Sequence, residues 1–204
     1  KSTEVENKSL LKSESKTSLV VKKGESTILP LDINLVPPNQ LYDENGDVFM
    51  FYSKSAHKLP GEGSQEINKT GFKYQDLTSY NDWRKKLSNF WIERDSLTGD
   101  IIPIIIDGIA FASVEHYFHY YKHWNVPTFF GEKKKQHSDH ALKFTLSYKG
   151  SDGYGKSEGN IVKSAGRKLN SLREDWFKNL TDDTKNIKLR DYILTKANYA
   201  KFSQ

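Results

Sequence analysis

The chain has 204 residues, 36 % hydrophobic and 13 % aromatic content, a formal net charge of +5 and no cysteine. That is one domain with a core and a tail, and a mean hydropathy of −0.72 says that part of the chain is solvated. Disulfides, thiol catalysis and thiolate metal sites are excluded, and no apolar run approaches the ~20 residues of a membrane helix.

The positive charge comes mostly from lysines spread along the chain, which reads as a solvated surface more readily than as a basic patch for nucleic acid. No signal peptide is visible, and a cysteine-free chain fits an intracellular setting. The chain begins with Lys1 rather than Met, so it reads as processed, trimmed or part of something longer.

Residues 1–45 read as a flexible or extended N-terminal arm. Lys1 to Lys16 are Ser, Lys and Glu with few apolar residues, and short apolar pairs alternate with Gly and Pro from Ser18 to Val36. Asn45-Gly46 is a turn signal, and Val48 to Tyr52 after it reads as a buried strand. Lys54 to Tyr80, rich in Gly, Lys and Ser, reads as a long loop. Ile101 to Ile106 reads as a strand that ends in an Asp107-Gly108 turn, with Pro103 marking an edge or irregularity.

Val114 to Lys122 reads as a helix with Ser113 as its N-cap. Glu115, His119 and Lys122 stand at i, i+4 and i+7, close to two turns apart, so they share one face. Aromatic residues fill the rest, which turns that polar stripe toward an enclosed site rather than bulk water. Glu115 falls in the first turn, where the helix dipole favours the carboxylate. A carboxylate and an amine held together suit chemistry at a sugar or carbonyl carbon. Residues 131–159 are charged and Gly-rich and read as an insertion; helical patterning returns at Asn160 to Leu169 and at Thr184 to Phe202.

Gly150 to Ser157 fits the phosphate-binding pattern G-x-x-x-x-G-K-[ST]. Its context is wrong: the preceding segment is a weak candidate for a buried strand, and too little chain follows for a parallel nucleotide-binding sheet. A flexible loop is the better reading. His116, His119 and His123 have helical spacing, with His137 and His140 nearby, but His119 points with Glu115 while His116 lies about a hundred degrees round the helix from Glu115, and no HExxH pattern forms. No metal or other cofactor is therefore expected. Trp83, Trp91, Trp124, Trp176, Tyr117 and Tyr121 are sized to stack on a ligand ring, although aromatics at helical spacing are more often core.

Five short segments occur in a telling order: Phe51-Tyr52-Ser53, Leu87-Ser88-Asn89-Phe90, Glu115-His116-Tyr117-Phe118 with Lys122, Ala165-Gly166-Arg167 with Leu172, Arg173 and Trp176, and Ala200-Lys201-Phe202 with Gln204. Together they resemble the NADAR (YbiA-like) family from about residue 48 to 204, with insertions near 54–80 and 131–159. The resemblance implies a mainly α domain, α+β with a few short strands, over residues 46–204. It implies an N-glycosidase that cleaves ribosylated amines, with riboflavin-pathway aminopyrimidine ribotides or ADP-ribosyl-guanine as substrates. Glu115 and Lys122 fall where the catalytic pair is expected. Asn89, Phe90, His119, Arg167 and Trp176 fall on expected substrate contacts.

Two departures stand out. The chain stops at Gln204, where the family usually continues with a Trp- and Gly-rich segment that helps close the pocket. His119 and Tyr121 replace glutamines that often lie between the acid and the lysine. The expected partner is a small nucleotide-like substrate, with modified nucleic acid as a variant of it, and no membrane; the expected setting is the cytoplasm, or a virion if the protein is viral. A non-catalytic structural or nucleotide-binding module in a larger assembly is the alternative.

Overall fold

The structure, a computed structural model, describes residues 46–71, 73–169, 173–179 and 187–203. The expected N-terminal arm, Asn45 of the turn signal, Leu172 and Gln204 lie outside the described residues.

An α-rich α+β fold emerges, with five helices and a two-stranded sheet among the described residues. The helices are α1 (Trp83–Leu87), α2 (Val114–His123), α3 (Gly131–Leu142), α4 (Gly159–Ala165) and α5 (Leu189–Phe202), and the strands are β1 (Ile104–Ile106) and β2 (Ile109–Phe111).

The Ile-rich run forms one arm of a hairpin. Its strands are antiparallel, with Ile104 opposite Phe111 and Ile106 opposite Ile109. Asp107 and Gly108 have φ of 52° and 75°, the two positive values that a type I′ turn needs to match the strand twist. Ile104 and Ile106 are buried and Ile105 is half exposed, the period-two pattern of a sheet with one covered face. Lys196 of α5 reaches both carboxylate oxygens of Asp107, at 2.5 and 2.7 Å, and fastens the hairpin tip to that helix.

Among the described elements helix α2 is central: α3, α4, α5 and the hairpin all pack on it or on each other around it. Val114, Tyr117 and Tyr120 form its apolar stripe, with Phe111 edge-on to both tyrosine rings at 5.3 and 5.2 Å. Leu189, Ile193 and Ala197, spaced one turn apart on α5, close this core. The opposite stripe of α2 carries His116, His119 and His123, all buried, toward α3 and α4.

Three expectations change. Val48 to Tyr52 is no buried strand: Val48 makes a single bridge to Ile67, Phe49 packs edge-on against Tyr74 and Trp83, and Met50, Phe51 and Tyr52 are exposed. A continuous apolar run has no alternation to fix a sheet face, so one bridge ends the pairing. The 54–80 loop is organised rather than open, because the buried Glu66 carboxylate accepts N–H groups of Gly61 and Gly63 and an Arg84 fork. The 131–159 segment begins as helix α3, whose buried face is His137, His140 and Ala141. Its remainder is turn-rich and pinned rather than loose: Lys143 pairs with Asp152, and the Tyr154 ring lies 5.4 Å from Phe144. Among the described residues no strand leads into Gly150, so the phosphate-loop pattern has no structural counterpart.

Candidate active site on the central helix

Ser113 takes the extended N-cap position of α2, as its residue type favours, yet its hydroxyl does not cap the backbone. It bonds His116 Nδ1 at 2.8 Å, and His116 Nε2 lies 3.1 Å from the Tyr154 carbonyl. The carbonyl must accept, so Nε2 carries the hydrogen and Nδ1 receives the serine proton. A different residue closes the helix start. The Asn89 carbonyl accepts the Glu115 N–H at 3.0 Å, so the Ser88–Phe90 segment is locked onto the first turn of α2.

One turn in, His119 Nε2 donates to Glu115 Oε1 at 3.0 Å, and the two side chains are only 6 % and 12 % exposed. His119 Nδ1 is buried with no hydrogen-bond partner. Lys122 stands on the same face, and its ammonium donates to the Gly166 carbonyl at 2.8 Å. Burial lowers the Lys122 pKa below the usual lysine value, and the nearby Arg167 charge lowers it further.

Helix α4 supplies the opposing wall. His123 Nε2 also meets the Gly166 carbonyl, at 3.2 Å, and His140 Nε2 meets that of Ala165 at 3.1 Å. Side chains of α2 and α3 thereby satisfy the carbonyls that the end of α4 leaves open. Gly166 has a helical φ of −64°, so its backbone does not require glycine. Space does, because the His119 ring occupies the place of a Cβ. Gly159, at the other end of α4, receives the Phe90 ring in the same way.

Of the expected site residues, then, Glu115, His119 and Lys122 share one face of α2. Asn89 and Phe90 abut its start and α4, and Arg167 is exposed just beyond the end of α4. Trp176 is 3 % exposed and packs under Phe118 at 5.1 Å, in the core beneath the site rather than along it. Arg173, noted only as a motif member, caps the far end of α2. It donates to the Tyr121 carbonyl at 2.7 Å while Asp175 holds its guanidinium from two sides. A cation there also complements the helix dipole.

The histidines invite a metal test. His123 and His137 face each other with Nδ1 atoms 3.0 Å apart, and the outer nitrogens of His123 and His140 are spent on carbonyls. Among the described residues no group of three or more His, Asp or Glu is arranged to hold a metal ion. Nor is any described helix long and apolar enough to cross a membrane.

No family model, no curated protein and no solved structure matches the chain.

Proposed function

We propose that the chain is an N-glycosidase of the NADAR (YbiA-like) kind. It would hydrolyse the bond between ribose C1′ and an amine of a nucleotide-like substrate, an aminopyrimidine ribotide or ADP-ribosyl-guanine, in the cytoplasm or a virion. The observation that carries this reading is the Glu115–His119 pair, 3.0 Å apart and largely buried, on the same helix face as the Lys122 amine.

In that reaction the C1′–N bond breaks, water adds to C1′ and the leaving nitrogen gains a proton. The sugar passes through an oxocarbenium-like state. The Glu115 carboxylate, fixed by the His119 N–H, stabilises that cation or takes the proton of the attacking water. Lys122 gives up its bond to the Gly166 carbonyl and donates to the leaving nitrogen or to a phosphate, and its lowered pKa helps the transfer. Asn89, Phe90 and Arg167 border this face and would meet the base, sugar or phosphate.

A second reading has its own support. His119 and Lys122 are both engaged with Gly166, and the Glu115 side chain is 12 % exposed, the arrangement of a structural or nucleotide-binding module. Base release from ADP-ribosylated guanosine and from a ribosylaminopyrimidine phosphate separates the two. Release by the wild type that falls about 10²–10⁴-fold in Glu115→Gln, at unchanged melting temperature, supports the glycosidase. No release from either substrate, with binding retained, supports the module.

A further inference from the structure

A cleft lies between α1 and the segment after it, β1 and the end of α5. It has a volume of about 420 Å³ and is lined by Lys86, Trp91, Glu93, Ile104, Lys201 and Phe202. That size suits a small molecule. Its walls are mostly apolar, so the charges within it decide what it takes. Glu93 is already committed: one oxygen accepts the Trp91 indole N–H at 2.6 Å, and the other is 3.7 Å from the Lys86 ammonium. The Lys86 ammonium sits 5.7 Å from the Trp91 ring centre.

Lys201 is different. Its ammonium donates to the Ser88 carbonyl at 2.8 Å and to the Lys86 carbonyl, both neutral acceptors. Two of its three N–H groups are used, and no carboxylate pairs with it among the described residues. A half-buried cation without a counter-ion is costly. Burial accordingly depresses its pKa to about 8, with Glu93 only partly offsetting the effect. The Phe202 ring lies 5.0 Å from the same nitrogen, and Trp91 supplies the other aromatic wall.

We propose that this cleft binds a planar aromatic ring carrying an anionic group, the ring lying against Trp91 and Phe202 and the anion pairing with Lys201. The anion supplies a counter-ion that no described carboxylate provides, and the ring covers apolar wall. Two sources carry this chemistry, a mononucleotide and an aromatic carboxylate. The site is distinct in its residues from the Glu115 face and does not depend on the glycosidase reading.

The test is calorimetric titration of the full chain with adenosine 5′-monophosphate and with anthranilate, beside adenosine and ribose 5-phosphate as ligands lacking the charge or the ring. Binding of either aromatic anion, weakened about ten-fold or more in the ligand that lacks the ring, is expected. Lys201→Met and Phe202→Ala should each weaken it. Phe202 is exposed, so its variant folds even if Lys201→Met does not. Pairing with an anion raises the lysine pKa, so binding at pH 8 should take up protons from the buffer. Binding of the nucleotide alone or of the carboxylate alone assigns the source. Absence of binding by both, or binding that both cleft variants leave unchanged, overturns the proposal. The base-release assay with Glu115→Gln reads the glycosidase separately, so the failure of one does not imply the failure of the other.

Discussion

Gly166 and His119 fit together so closely that a methyl group on the glycine would lie 1.9 Å from the imidazole Nδ1. At the other end of α4, a methyl on Gly159 would lie 2.6 Å from the Phe90 ring. These glycines are seven residues apart, two helical turns, so one face of α4 carries two notches. Each notch holds a ring that the sequence had marked as a substrate contact, and the His119 notch sets the height of the imidazole that holds Glu115.

Replacing Gly166 by alanine should therefore expel the His119 ring without straining the backbone. Overpacking of this kind costs about 1–3 kcal/mol. The Glu115 carboxylate then loses its imidazole donor, so base release, where present, should fall with the stability. Thermal unfolding together with the His119 imidazole NMR signals checks this. An unchanged melting temperature with unshifted His119 resonances would show that the close fit is wrong.

Much of this was legible in the chain. The i, i+4, i+7 spacing placed Glu115, His119 and Lys122 on one face, the Ile run with Asp107-Gly108 marked a strand and the turn after it, and Ser113 marked the helix start. What escaped has physical reasons. Helix α3 buries histidines rather than aliphatic residues, so its sequence Gly131–Leu142 carries almost no apolar stripe. Gly166 reads as a helix breaker until the ring beside it is known. The Lys201 cleft joins residues from α1, the segment after it, β1 and α5, and no spacing in sequence announces such a meeting.

Acid should destabilise the protein well before its carboxylates titrate. Burial lowers the pKa of His116 to about 4 and of His123 to about 3, and lowers those of His137 and His140 as well. His116 Nδ1 accepts the Ser113 hydroxyl, and protonation would remove that acceptor. An unfolded histidine titrates near 6.5, so between about pH 6.5 and 4 the unfolded state binds more protons. Unfolding free energy then decreases as the pH is lowered, by up to about 1.4 kcal/mol per unit for each such imidazole. Urea unfolding from pH 7 to pH 5 measures the slope, and a flat profile would count against neutral buried histidines.

The last prediction concerns Arg84 and Glu66, whose side chains are 3 % and 0 % exposed. Burial alone would raise the Glu66 pKa. The Arg84 guanidinium and the N–H groups of Gly63, Met50 and Gly61 outweigh it and hold the carboxyl at about 2. In the wild type this stabilisation is complete above the ordinary value of 4.5 and is lost as pH falls toward 2. Arg84→Met strands the carboxylate in its buried loop, and breaking such a pair costs about 3–5 kcal/mol at neutral pH. With the guanidinium gone, burial dominates and the carboxyl pKa moves up, so protonation relieves the variant as pH falls. The stability gap between variant and wild type should thus be smaller at pH 5 than at pH 7, where the histidine contribution is common to both and cancels. Adding Glu66→Leu to Arg84→Met should recover part of the loss and remove the pH dependence of the gap. A gap that stays constant between the two pH values would mean that Glu66 reaches water once Arg84 is gone.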